Sequence, residues 1–182
     1  MRVIAGRLGG RRLVAPQGQG TRPTSDRVRE ALFSALADVH DARVLDLYAG
    51  TGALGIEALS RGAASVTFVE SARSALSALR DNLATLELAA STTVVAQPVA
   101  RATLGLVGPF DLVLADPPYA AVAEVPGAIA ALRARGALAR GGRIVVEHAS
   151  RDAAPALAGA TARPSRTYGD TMVTIYDDDE AP

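Results

Sequence analysis

Asp116-Pro117-Pro118-Tyr119 closes the apolar run Phe110-Asp111-Leu112-Val113-Leu114-Ala115, and its residue types suit a flat ring that carries an amine. The Asp116 carboxylate and the main-chain carbonyl of Pro117 can accept the two hydrogens of an –NH₂ group. Two consecutive prolines hold the backbone stiff and extended, with φ at about −65°. Tyr119 can stack on the ring that bears the amine. A plain strand-to-loop turn is the other reading of the same four residues.

A second constellation lies upstream. Val44-Leu45-Asp46-Leu47-Tyr48 reads as a short buried strand, and Ala49-Gly50-Thr51-Gly52-Ala53-Leu54-Gly55 follows at once. Gly50, Gly52 and Gly55 satisfy G-x-G-x-x-G between a strand and an apolar helix start, which allows close approach of a nucleotide-like ligand. Val66-Thr67-Phe68-Val69 makes the next strand and ends in Glu70, placed to accept hydrogen bonds from both hydroxyls of a ribose. This much fits a dinucleotide as well as another adenosine cofactor.

Asp46 separates the two. It stands inside a buried strand, where an apolar residue is the norm. A carboxylate there can pair with the α-amino group of a methionine moiety, whereas the phosphates of a dinucleotide would be repelled by it. Together with the glycine turn and Glu70, Asp46 favours S-adenosylmethionine. A solvated or capped strand-end aspartate is the alternative.

With both constellations in place, Asp46-Leu47-Tyr48-Ala49-Gly50-Thr51-Gly52-Ala53-Leu54-Gly55 and Asp116-Pro117-Pro118-Tyr119 resemble the RsmD-like bacterial family that methylates guanine N2 in 16S ribosomal RNA. Arg22-Pro23-Thr24-Ser25-Asp26-Arg27-Val28-Arg29-Glu30-Ala31-Leu32-Phe33 is similar to that family's most distinctive stretch. The opening Arg2-Val3-Ile4-Ala5-Gly6, then Gly10-Arg11-Arg12-Leu13, and near the end Tyr168-Gly169-Asp170-Thr171, match as well. The resemblance spans nearly the whole chain, excluding the last few residues.

It implies a Rossmann-like class I methyltransferase of the α/β class: a seven-stranded, mostly parallel sheet with helices on both faces and a reversed strand pair at the end. S-adenosylmethionine would be the methyl donor and a loop guanine of 16S rRNA the substrate, on an assembled or partly assembled small ribosomal subunit. By resemblance, Asp46, Tyr48, Gly50, Gly52, Gly55, Glu70 and Thr24 would hold the cofactor. Asp116, Pro117 and Tyr119 would act on the amine, and Arg2, Arg7, Arg11, Arg12, Arg22 and Pro118 would meet RNA. Thr24 and Arg22 rest on resemblance only; helix capping and loop closure are their simpler roles. One departure concerns the adenine pocket. After the strand Thr92–Ala96 the family pattern often places an acid or amide and a small residue, but here Gln97-Pro98-Val99 follows, so adenine would meet main-chain groups or Gln97.

Composition fits a small cytoplasmic enzyme. A chain of 182 residues can bury one sizeable core. Cysteine is absent, which removes disulfides and thiolate metal ligation. Two histidines, His40 and His148, are too few for most metal sites and are expected at the surface or behind the site. No metal is expected, and no apolar stretch suits a signal peptide or a membrane span. Formal net charge is zero, but residues 1–25 carry five arginines and no acid, while Asp177-Asp178-Asp179-Glu180 is wholly acidic. All 19 basic side chains are arginine. A basic arm suits phosphate, which arginine's planar fork binds with two hydrogen bonds.

The periodicities set out the elements. Arg2–Ala5 and Arg11–Ala15 read as two strands about Gly9-Gly10, and residues 16–20 as a flexible connection. Thr24 or Ser25 can cap a helix whose apolar face is Val28, Leu32, Ala35, Leu36 and Val39. Strands and helices then alternate through Leu76–Leu86, Thr92–Ala96, Phe110–Ala115, Val125–Leu132 and Arg143–Val146, as a parallel sheet requires. Two final strands, about Ala162–Tyr168 and Met172–Tyr176, suit an antiparallel edge. The expected organisation is a basic arm over 1–20, one catalytic domain over 21–176 and a disordered acidic tail over 177–182, acting as a monomer.

Other functions remain open at this point. A DNA adenine-N6 enzyme uses the same amine chemistry but usually needs a target-recognition domain. A glutamine side-chain methylase commonly carries asparagine at the Asp116 position. Asp46 and Asp116 count against a nicotinamide oxidoreductase, and the intact turn and amine mouth against a silent RNA-binding assembly factor.

Overall fold

The computed structural model describes residues 1–15, 26–36 and 38–179. Eight strands form one sheet: β1 (Arg43–Leu47), β2 (Ser65–Glu70), β3 (Thr92–Ala96), β4 (Phe110–Ala115), β5 (Leu138–Ala149), β6 (Ala160–Ala162), β7 (Arg166–Tyr168) and β8 (Thr171–Asp178). The order is β3-β2-β1-β4-β5-β8-β6, with β7 also on β8. From β3 to β5 every pairing is parallel, and β8 lies antiparallel to β5, β6 and β7. Among the described residues five helices flank it: α1 (Asp26–Leu36), α2 (Ala53–Ser60), α3 (Arg73–Thr85), the single turn α4 (Val99–Ala102) and α5 (Val125–Ala134).

The strands alternate their side chains between two cores. Val44, Leu112, Leu114, Val145 and Val173 face α1, α2 and α3 with Phe33, Ile56 and Leu79. Leu45, Leu47, Val113, Ile144 and Val146 face α4 and α5 with Ile129 and Leu132. Crossover helices on both faces explain why the parallel strands read as continuous apolar runs.

The amino-terminal segment differs from the expected arm. Instead of two strands, one isolated bridge joins Arg2 to Arg12, around a 3₁₀ turn over Gly6–Leu8. Nor is it a separate unit, because Val3, Leu8 and Leu13 are buried in the same core as α1 and α2. Polar side chains of the helices grip its backbone. Glu57 accepts from Ile4 N (2.7 Å) and Ala5 N (3.1 Å), Ser60 Oγ from Leu8 N (3.0 Å), and Asn82 Oδ1 from Val14 N (2.7 Å).

The carboxyl-terminal end is also corrected. Pro164 interrupts the expected strand Ala162–Tyr168, leaving β6 and β7 as two short pieces on β8. The tail expected from Asp177 is strand as far as Asp178. Arg163 holds Asp177 with two bonds (2.6 and 2.7 Å), and the buried Asp178 is paired to Arg133. Four consecutive acids, Asp177 to Glu180, signalled solvent, but Asp177 and Asp178 have arginine partners on neighbouring elements.

Smaller differences have local causes. Val39 is buried, but α1 ends at Leu36. β5 begins at Leu138, before Gly141-Gly142, because two residues along β4 match five along β5 between Phe110↔Leu138 and Leu112↔Arg143. The candidate residues Thr24, Arg22 and Ser25 and the connection 16–20 lie outside the described residues.

Candidate active site

Three acids stand at or near strand carboxyl ends on one side of the sheet: Asp46 in β1, Glu70 closing β2 and Asp116 just past β4. In an open parallel sheet this is where ligands lie. A cavity of about 630 Å³ opens there, within the range of small-molecule sites. Asp46, Tyr48, Gly50, Glu70, Asp116, Pro117, Pro118 and Tyr119 all line it. So do Gln97, Pro98 and Val99 at the start of α4.

The backbone between β1 and α2 is held by carboxylates. Tyr48 follows β1 with φ +57°, a left-handed conformation that turns the chain out of the strand. Glu70 Oε2 accepts from Gly50 N (2.8 Å), and its Oε1 from Ser71 N and Ala72 N (2.7 Å each), just ahead of α3. Asp46 Oδ2 accepts from Gly55 N (2.9 Å) in the first turn of α2. Two of the candidate ligand acids therefore brace the turn as well as facing the cavity.

The three glycines divide their work. Gly50 has φ +55°, and a Cβ there would meet nothing within 4 Å, so its place on the cavity wall is open. Gly52 and Gly55 do not line the cavity. A Cβ on Gly52 would lie 2.4 Å from Leu79, and one on Gly55 2.4 Å from the fully buried Phe68 ring and 2.8 Å from Val66. These two let α2 lie close on the sheet. Gly55→Ala is accordingly expected to destabilise the fold by about 1–3 kcal/mol through overpacking, measurable as a lowered urea midpoint at unchanged slope.

Asp46 is 1% exposed. Burial pushes its pKa up to about 8; the Gly55 N–H opposes this, while the charges of Asp116 and Glu70 add to it. Tyr48 is pushed up to about 12, first by burial and then by Glu124. Sequence reasoning missed Glu124 and Glu147, which also line the cavity, together with Met1 and Ala15 from the amino-terminal segment. Glu147 carried the same signal as Asp46, a carboxylate inside a buried strand. Five carboxylates thus line the cavity, and no arginine or histidine is among its lining residues within the described part of the chain.

Tyr119 opens a 3₁₀ turn over Tyr119–Glu124 and is 43% exposed at the rim, with the Arg151 guanidinium 6.0 Å from its ring centroid. The candidate RNA arginines are spread out. Arg2 bonds Asp26 (3.2 Å), Arg11 reaches Thr85 O (3.3 Å) at the end of α3, and Arg7 follows Gly6, packed on Ser60 at the far end of α2. None of Arg2, Arg7, Arg11 and Arg12 lines the cavity. His40 is exposed, whereas His148 is fully buried, its Nε2 3.0 Å from Thr174 Oγ1. Among the described residues no cluster of His, Cys, Asp and Glu could hold a metal, and no helix is long and apolar enough to cross a membrane.

A family model described as "Conserved hypothetical protein 95" matches residues 1–177. The chain belongs to this family. It is 47% identical over 121 residues to "Ribosomal RNA small subunit methyltransferase D" of Escherichia coli (strain K12), a match that covers 65% of this chain and 60% of that relative's length. It is 37% identical over 181 residues to "Putative rRNA methyltransferase YlbH" of Bacillus subtilis (strain 168), covering 97% of this chain and 98% of the other. A solved structure, "Putative methyltransferase yhhF from Escherichia coli", superposes with a TM-score of 0.87 at 36% identity over 98% of each chain. This family's members share the Rossmann-like class I methyltransferase fold seen here. The β8 strand between β5 and the β6–β7 pair is the reversed element expected at its end.

Proposed function

We propose that this chain transfers a methyl group from S-adenosylmethionine to the exocyclic N2 of a loop guanine in 16S ribosomal RNA, on an assembled or partly assembled small subunit, as a monomer. One observation carries the reading: a cavity lined by five carboxylates and, among the described residues, no cationic side chain ends at the Asp116-Pro117-Pro118-Tyr119 mouth. Such a lining suits a ligand with an ammonium and a sulfonium and repels a pyrophosphate, so a nicotinamide dinucleotide is disfavoured. The names of the relatives support rRNA as the substrate class.

In this reading Asp46 faces the α-amino group, Gly50 gives clearance to the methionine end, and Glu70 takes the ribose hydroxyls. Tyr48 closes one wall, with Gln97, Pro98 and Val99 beside the adenine. Gly52 and Gly55 act through helix packing. S-Adenosylmethionine supplies an activated methyl on a sulfur that leaves neutral. Guanine N2 is a poor nucleophile because its lone pair is delocalised into the ring. Asp116 and the Pro117 carbonyl accept its two hydrogens, favour a pyramidal nitrogen and free the lone pair. Tyr119 stacks on the base, Pro118 fixes the rim, and Asp116 passes the released proton to water. Positioning and electrostatic complementarity supply the acceleration.

The buried acid gives a pH test. Its raised pKa means that the folded chain prefers Asp46 protonated. This contribution to stability is complete below about pH 4 and is lost as pH rises towards 8. Asp46→Asn should flatten that decline in chemical unfolding of the free protein. A bound ammonium reverses the balance and expels the proton. Calorimetric titration of S-adenosylmethionine near pH 7 should therefore show release of close to one proton, as a buffer-dependent enthalpy absent in Asp46→Asn. The activity itself is tested with labelled donor and small subunits from cells lacking this protein. N2-methylguanine at one site is the expected product; transfer to DNA or protein but not to subunits or 16S RNA would select the DNA adenine-N6 or side-chain alternative.

A further inference from the structure

A second hollow, of about 310 Å³, is lined by Arg27 and Val28 of α1 and by Thr167, Tyr168 and Gly169 at the β7–β8 turn. The sheet register places it beside the first cavity. Ala115, next to Asp116, aligns with Val146 on β5, whereas the turn aligns through Thr171 with Ala149. Three residues of strand put the turn about 10 Å farther out on the same side. The first cavity draws on both cores and reaches the hollow's face at Asp46. Val28 and Tyr168 pack on the core that holds Phe68 and Leu114, the two residues in register with Asp46.

The ground between them is basic and aromatic. Ser150 N donates to Asp170 O (2.9 Å), tying the loop after β5 to the turn. On that loop Arg151, its side chain 79% exposed and its Nε 4.0 Å from the exposed Asp152, reaches over the Tyr119 ring. Arg27 is exposed and has no hydrogen-bond or ion-pair partner among the described residues. Aromatic faces alternating with arginines make a track for single-stranded nucleic acid, in which bases stack and phosphates pair. The first cavity cannot take a phosphate among its carboxylates, so the strand must leave its mouth by another path.

We propose that this hollow holds a nucleotide of the substrate RNA adjacent to the methylated base, its phosphate on Arg27 and its base against Tyr168, with Arg151 meeting the phosphate between the two sites. The inference rests on the reading that the substrate is RNA. It adds a flanking-nucleotide subsite to the amine mouth and assigns it to side chains outside the amino-terminal arm.

Binding decides it independently of methyl transfer. Arg27→Gln, Arg151→Gln and the double variant are compared with wild type and with Arg135→Gln, an exposed arginine at the end of α5 on another part of the surface. Affinity for protein-free 16S RNA and for undermethylated small subunits is measured over a salt series, with S-adenosylmethionine affinity as the check on folding. For single-stranded contacts the double variant should flatten the log–log salt slope by about 1.4, and each single variant by about 0.7. Affinity should fall several-fold at moderate salt, with cofactor affinity and Arg135→Gln unchanged. Unchanged slopes in the Arg27 and Arg151 variants overturn the subsite while leaving the proposed activity standing. A loss confined to particles assigns the hollow to a ribosomal protein and also overturns it. A wild-type chain that binds RNA with these slopes yet transfers no methyl group defeats the activity but supports the subsite; one that binds neither RNA nor particles defeats both.

Discussion

Asp116→Ala is expected to lower methyl transfer by about 10²–10³-fold, the scale seen when one preorganised polar contact to a reacting group is removed. Affinity for S-adenosylmethionine should stay within a few-fold, because in the proposed reading Asp116 binds the amine rather than the cofactor. The carboxylate lies just past β4 and lines the cavity together with Pro117, Pro118 and Tyr119. Without it, the amine keeps only the Pro117 carbonyl as acceptor, and the nitrogen stays closer to planar. Asp116→Asn retains one acceptor oxygen and should fall between. Single-turnover transfer to undermethylated subunits, with calorimetry on the same samples, checks both parts. Near-normal transfer by the alanine variant would remove Asp116 from the chemistry. The same change carries a second signature: Asp116 is one of the charges holding Asp46 up, so proton release on cofactor binding should shrink near pH 7.

Glu57→Ala should have the largest effect on stability, about 3–5 kcal/mol, the usual cost of removing one member of a buried charged pair. Glu57 is fully buried in α2. It accepts from Ile4 N, Ala5 N and Arg61 Nε, the last at 2.7 Å. Alanine strands two backbone donors under the amino-terminal segment and leaves the partly exposed Arg61 with the Phe33 ring but no carboxylate. Because Met1 and Ala15 of that segment line the first cavity, cofactor affinity should fall with stability. Glu57→Gln keeps an acceptor and should lose much less. Denaturant unfolding, with hydrogen exchange at Ile4 and Ala5, distinguishes local release of the segment from global weakening. If both amides stay as protected as in wild type, the grip described here is wrong.

The central sheet was legible because its physics is local. Val44–Leu47, Val66–Val69 and Phe110–Ala115 are apolar runs of strand length, each leading into a helix or turn signal. An acid inside or ending such a run marked the cavity side. The limits were equally physical. Glu57 and Asn82 sit within apolar helices, and nothing local says that each binds the backbone of a segment dozens of residues away. They were visible only as polar residues on otherwise buried faces. Glu147 showed the anomaly that picked out Asp46 but lacked a glycine turn after it to give it meaning. The Asp177–Asp178 pair was misread because its partners, Arg163 and Arg133, become neighbours only when the sheet forms. G-x-G-x-x-G reported the turn correctly, but only space-filling shows that Gly50 stands open on the cavity wall while Gly52 and Gly55 serve packing.

The strand order also has a consequence for how the molecule is made. β8, which follows all the other described strands in chain order, fills an interior slot between β5 and the β6–β7 pair. Until residues 171–178 are available, β5 offers a long open edge carrying Val145 and Val146, and β6 and β7 have no strand to pair with. An edge of this kind templates association between chains. Productive pairing of this part of the sheet is therefore expected late in synthesis, once residues 171–178 are available. Nascent chains halted before Thr171 would be the form most exposed to aggregation and to capture by chaperones.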